Sequence, residues 1–90
     1  MEVLLLTQAQ CTFCDQAKVI IGDLAQEFGL RISAVDLDTP EGRQLGADSG
    51  MLFPPGLFLD GQLVFHGRIS KRRLRRELER RGRARPEEAG

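Results

Sequence analysis

The sequence predicts a single small α/β domain with the element order βαβαββα, and three features carry that prediction. The apolar run Val3-Leu4-Leu5-Leu6 is followed by a long stretch of helical apolar spacing and then by a second short apolar run. A further helix start follows at Thr39-Pro40-Glu41. Two strand-like runs then flank Asp60-Gly61, a dipeptide suited to a type I′ hairpin turn. Ninety residues, 41% of them hydrophobic, suffice for one core and therefore one domain.

Val3 to Thr7 reads as a strand buried on both faces, as in a parallel sheet. Gln8-Ala9-Gln10 forms a loop into Cys11-Thr12-Phe13-Cys14. From Thr12 onward Phe13, Ala17, Ile20, Ile21, Leu24, Ala25 and Phe28 recur at helical spacing, and Gly29 is placed to end the helix. Cys14 lies on that apolar stripe and Cys11 before it, so Cys11 is expected to be accessible and Cys14 covered. Arg31 to Leu37 is a second strand, and a strand–helix–strand unit predicts a right-handed crossover. Thr39 is placed as an N-cap with Pro40 at the first helical position, opening a helix to about Ala47 that Gly42, Gly46 and Gly50 weaken.

Phe53-Pro54-Pro55-Gly56 interrupts regular structure before the hairpin strands Leu57 to Leu59 and Gln62 to His66. Ser70 is suited to cap a last helix, Lys71 to about Arg81, whose apolar face is Leu74 and Leu78 with Ile69 just before it. The expected domain is residues 1–81, and 82–90 reads as a polar, fraying tail.

Cys11 and Cys14 are the only cysteines. At the first turn of a helix, unpaired N–H groups and the macrodipole favour negative charge. Such a site lowers a thiol pKa from about 8.5 to between ~3.5 and ~7.5, which favours the reactive thiolate. Nucleophile and resolving thiol in one turn behind a strand suit thiol–disulfide exchange. The alternatives are a metal or iron–sulfur carrier whose four thiolates come from two chains, and an adaptor acting through the basic last helix. Structural zinc within one chain is disfavoured, because it needs four ligands and only His66, distant in sequence, joins the two cysteines.

Charge is segregated: three basic and nine acidic residues precede Arg68, and ten basic and four acidic residues follow from it, giving −6 and +6. The run Lys71-Arg72-Arg73-Leu74-Arg75-Arg76 reads as a solvated helix face, and the lack of interleaved aromatics disfavours nucleic acid. No apolar run reaches membrane-spanning length and no secretory signal pattern is present, so a soluble cytoplasmic protein is expected. In that compartment a CxxC is more often catalytic or metal-binding than a structural disulfide.

With these pieces assembled, residues 2 to about 81 resemble the glutaredoxin and small thioredoxin-like family. The matching features are the strand before CxxC, Ala17-Lys18 in the following helix, Asp36-Leu37-Asp38 after the second strand, Pro55 with Phe58 three residues on, the Asp60-Gly61 turn and a C-terminal amphipathic helix. The resemblance implies a thioredoxin-like fold, a four-stranded mixed sheet flanked by helices. It implies a disulfide oxidoreductase in which Cys11 attacks and Cys14 resolves. It also implies a cis proline at Pro55, with Pro54 as the preceding residue that pairs with substrate backbone; Pro54 has no N–H and keeps only the acceptor.

Further candidate substrate-facing positions are Thr12 and Phe13 between the cysteines and, by the resemblance, Gln8, Gly67 and Ser70. Gln8 stands where glutaredoxins often carry a lysine, and His66-Gly67-Arg68-Ile69-Ser70 replaces their usual Gly-Gly loop. Thioredoxin's tryptophan before the cysteine pair and the Gly-Pro between the cysteines are missing too. The expected substrate is a protein or low-molecular-weight disulfide, with glutathione or a thioredoxin reductase as electron donor. No bound cofactor, no metal and a monomeric state are expected.

Overall fold

The computed structural model describes residues 1–83. The elements are β1 (Glu2–Thr7), α1 (Thr12–Phe28), β2 (Arg31–Asp36), α2 (Pro40–Ser49), β3 (Gly56–Leu59), β4 (Gln62–His66) and α3 (Lys71–Arg83). They build a four-stranded mixed sheet in the order β2-β1-β3-β4. β1 runs parallel to β2 and antiparallel to β3, and β3 pairs antiparallel with β4. The sequence order and the mixed sheet are those expected. No helix among the described residues is long and apolar enough to cross a membrane.

β1 is continuously apolar because it is central. Its Val3 and Leu5 share one sheet face with Leu57 and Leu59 of β3, and there they meet Ala17, Ile21 and Leu24 of α1 and Leu74 and Leu78 of α3. Each fully buried Leu or Ile in that cluster contributes about 1.5–3 kcal/mol relative to exposure. The buried apolar anchors of α3 are Leu74, Leu78 and, just before it, Ile69, all at most 5% exposed, a thin stripe beneath an otherwise charged helix.

The opposite face is covered by α2, and here the structure departs from propensity. The helix runs to Ser49, beyond the expected Ala47, and ends at Gly50 in the left-handed conformation. Gly42 and Gly46 are buried because α2 lies tight on the sheet. A Cβ on Gly42 would strike the Asp36 carbonyl and come within 2.8 Å of Leu37 Cα. The glycines that weaken the helix in isolation are what let it dock.

β2 is an edge strand ending at Asp36, one residue short of the expected Leu37, and it is exposed over most of its length; Ile32 is 43% exposed. The hairpin turn is as expected, with Asp60 and Gly61 both at positive φ. A register shift between Leu57 and Phe58 gives β4 one extra residue, Val64. α3 continues to Arg83, past the expected Arg81, so Gly82 and Arg83 belong to the helix. The rest of the expected fraying tail lies outside the described residues.

Candidate functional site

β1 delivers the chain through Gln8-Ala9-Gln10 to Cys11, which is the N-cap of α1. Cys11 has extended backbone angles (φ −122°, ψ 105°), and its Sγ accepts a hydrogen bond from the Cys14 N–H at 3.1 Å. Its carbonyl accepts from the Asp15 N–H at 3.1 Å. A sulfur thus takes the capping place usually filled by a Ser, Thr, Asp or Asn oxygen. The same geometry aims a helix N-terminal donor at the atom that would carry thiolate charge.

Cys11 and Cys14 form a disulfide, with Cα atoms 5.2 Å apart. Their surroundings differ: Cys14 is completely buried in the α1 stripe, whereas Cys11 is partly exposed. Thr12 and Phe13 between them face outward, Phe13 being 45% exposed. Among the described residues no acidic or basic side chain is buried, so none lies beneath the pair.

The opposite wall comes from the segment before β3. The Pro54–Pro55 peptide bond is cis and Pro55 is fully buried, while Leu52 and Phe53 are 72% and 64% exposed. Gly56 follows, paired with Leu6 on one side and His66 on the other, so the ends of β1 and β4 meet this segment. Gly67, at φ +83°, donates its N–H to both Phe53 O (3.1 Å) and Pro55 O (2.9 Å). The carbonyl between them, on Pro54, has no partner among the described residues.

His66, at the end of β4, adds a second tether: its Nδ1 accepts from the Leu52 N–H at 3.3 Å. Its sequence signal was its place at the strand end that pairs with Gly56, visible only once the register is known.

The other expected site positions divide. Gln8 is partly buried near the cysteine turn and its side chain makes no hydrogen bond among the described residues. Gly67 and Ser70 have internal work: Gly67 N–H holds the proline segment, and Ser70 Oγ accepts from Arg73 N–H at 3.3 Å to cap α3. Among the described residues no group of three His, Cys, Asp or Glu side chains gathers as a metal site.

No curated protein sequence matches the chain significantly. Among solved structures, thioredoxin 1 from the thermophilic eubacterium Thermosipho africanus TCF52B superposes with a TM-score of 0.70 at 18% identity, covering 90% of this chain and 93% of that one. Mitochondrial thioredoxin 3 from Saccharomyces cerevisiae, in its oxidized form, gives 0.65 at 21% identity, covering 88% and 76%. At these identities the likeness is one of fold, and it is the thioredoxin fold. The sequence model of the Glutaredoxin-like domain (DUF836) matches residues 2–79, and the chain belongs to that family.

Proposed function

We propose that this protein is a thiol–disulfide oxidoreductase that reduces disulfides with the Cys11/Cys14 dithiol. The observation that carries the reading is the unequal pair at the start of α1: a capping, partly exposed Cys11 bonded to a wholly buried Cys14. In the reduced protein the Cys11 thiolate, stabilised by the Cys14 N–H, attacks one sulfur of a substrate disulfide. The substrate bond breaks, one substrate thiolate leaves, and a mixed disulfide forms on Cys11. Cys14 then loses its proton, attacks Cys11 Sγ and displaces the second substrate thiolate. Two electrons and two protons pass to the substrate, and the Cys11–Cys14 disulfide is the product.

Pro54 supplies a carbonyl, unpartnered among the described residues, that accepts a substrate N–H beside the pair; without an N–H of its own it offers one backbone hydrogen bond where a residue other than proline would offer two. Thr12 and Phe13 supply the exposed contact surface between the cysteines. A second thiol must reset the disulfide, and either glutathione or a thioredoxin reductase meets that need. Uncharged Gln8, together with the prior engagement of Gly67 N–H and Ser70 Oγ, favours a protein reductant over glutathione. The protein works as a cytoplasmic monomer in this reading.

The test is the reduction potential of the pair in glutathione buffers, followed by mass spectrometry. A potential near about −270 mV without a glutathione adduct on Cys11 in a Cys14→Ser variant supports a thioredoxin-like reductant. A value of about −200 to −230 mV with that adduct supports glutathione instead. Absence of any reversible disulfide removes the oxidoreductase reading.

A further inference from the structure

The topology gathers five pieces at one end of the molecule: the end of β1, the start of α1, the cis proline segment, the end of β4 and the start of α3. Beside the disulfide at that end, a groove of about 680 Å³ opens between α1 and α3. Its floor is aliphatic, made by Val19 and Ile20 of α1 and Ile69 before α3, and Val19 is 64% exposed with nothing covering it. Arg68 and Arg73 stand on its rim.

The charges of α3 are not distributed as stability alone would place them. Further along the helix cations have carboxylate partners: Arg80 and Arg81 share Glu77, and Arg75 reaches Glu27 of α1. In its first turn there is no acidic residue, only Lys71, Arg72 and Arg73, where the helix dipole disfavours positive charge. Lys71 is paired with Asp23 at 3.2 Å. Arg68, Arg72 and Arg76 have no carboxylate partner among the described residues, and Arg73 lies over the Phe65 ring, 6.0 Å from its centroid, also without one. Uncompensated cations therefore concentrate at the end of α3 that adjoins the redox pair, against the local electrostatic preference. Groups that break a local rule without local compensation mark a surface made for something else.

We infer that the α1–α3 groove docks an acidic segment of the protein whose disulfide is reduced, with carboxylates on Arg68 and Arg73 and an apolar side chain on Val19, Ile20 and Ile69. The inference rests on the oxidoreductase reading and adds the substrate class. The aliphatic floor favours a peptide over a nucleic acid, which would need a stacking surface. Along α1 the groove starts at Gln16, two residues past Cys14, and reaches Ile20, six past it, which is about 3 to 9 Å at ~1.5 Å per residue. An extended segment advances ~3.3 Å per residue, so the carboxylates fall on the order of one to three residues from the reacting substrate cysteine.

The test uses two disulfide peptides that differ only in carrying Asp/Glu or Asn/Gln at those positions. The wild-type protein is expected to reduce the acidic peptide with about tenfold higher kcat/KM, through KM, and to lose that preference as salt rises. Arg68→Glu with Arg73→Glu should abolish or invert the ratio, while Arg43→Glu, the same change of charge on α2 across the sheet, should keep it. In parallel, the acidic peptide with Ser replacing its cysteine is titrated into the protein, and the Val19, Ile20 and Ile69 methyl resonances are followed by NMR. Equal rates for both peptides with no methyl shifts overturn the groove while leaving the oxidoreductase reading intact. Methyl shifts with no reduction of any disulfide keep the groove and remove the oxidoreductase reading.

Discussion

The two walls of the candidate site are built in different ways. The cysteine wall is local: Cys11 caps α1, and its sulfur, its carbonyl and the N–H groups they meet all lie within four residues. The proline wall is assembled at a distance, with Leu52, Phe53 and Pro55 held by His66 and Gly67 from the far end of the hairpin. Chemistry sits on the wall that a short stretch of chain determines, and shape sits on the wall that needs the whole sheet. Perturbing the first should change what the site can do, and perturbing the second should change what it can hold.

The largest effect is expected on the local wall. Cys11→Ser removes the attacking sulfur and should lower disulfide reduction by at least about a thousandfold while leaving the fold intact, since serine is itself a good N-cap. Cys14→Ser should instead stop the reaction midway, leaving a substrate adduct on Cys11 that mass spectrometry detects as added mass lost on treatment with dithiothreitol. An adduct on residue 14 in the Cys11→Ser protein would reverse the assigned roles.

Gly42→Ala tests whether long-range packing outweighs local propensity elsewhere in the fold. By propensity alone the change should stabilise α2 by about 1 kcal/mol. The new methyl would collide with the backbone of Asp36 and Leu37, which cannot rotate aside, and overpacking of this kind costs about 1–3 kcal/mol. A fall in Tm of several degrees is expected, and a rise would show that α2 is free to lift off the sheet.

A smaller effect is expected at His66. His66→Ala removes the acceptor for the Leu52 N–H, a neutral hydrogen bond worth about 0.5–1.5 kcal/mol, and frees the exposed Leu52–Phe53 segment. KM for a protein disulfide should rise about three- to fivefold with kcat little changed, because the cysteine turn is untouched. His66→Asn, whose side-chain oxygen can take the place of Nδ1, should recover most of the loss. Equal KM values in all three proteins would show that Gly67 alone holds the wall.

The same contrast explains what the sequence made legible. The CxxC turn, the Thr39 and Ser70 caps and the Asp60-Gly61 turn each depend on residues within a few positions, and their residue types announced them. The unequal exposure of Cys11 and Cys14 followed from helical period alone. By contrast, the tightness of α2 was read backwards, because Gly42 and Gly46 look like helix breakers until β2 and Leu6 are beneath them. His66 looked idle and Gly67 and Ser70 looked free for a ligand, because the partners of His66 and Gly67 lie 12 to 14 residues away, and Ser70's role as a cap leaves less of its hydroxyl for one. Which cations of α3 remain without a carboxylate was likewise hidden, since Asp23 and Glu27 reach Lys71 and Arg75 from α1.

The smallest expected effect is again local, within α3. Glu77 receives hydrogen bonds from Arg80 and Arg81, and chiefly the bond from Arg80 holds its carboxyl below the usual carboxylate range, against a partial desolvation that acts the other way. A folded-state pKa below the unfolded one makes the charged carboxylate a source of stability. That contribution is complete above the ordinary carboxylate pKa and is lost as pH falls through the lowered folded value. Glu77→Gln should therefore lower Tm slightly at neutral pH, and the difference from wild type should vanish in acid and shrink in high salt, as for other solvent-facing ion pairs. Disulfide reduction should be unaffected, because α3 carries this pair away from the groove end. A Glu77→Gln protein with altered KM for the acidic peptide would mean that releasing Arg80 and Arg81 changes the field at the site, so that the local pairing of the helix's second half also sets how much positive charge its first half presents.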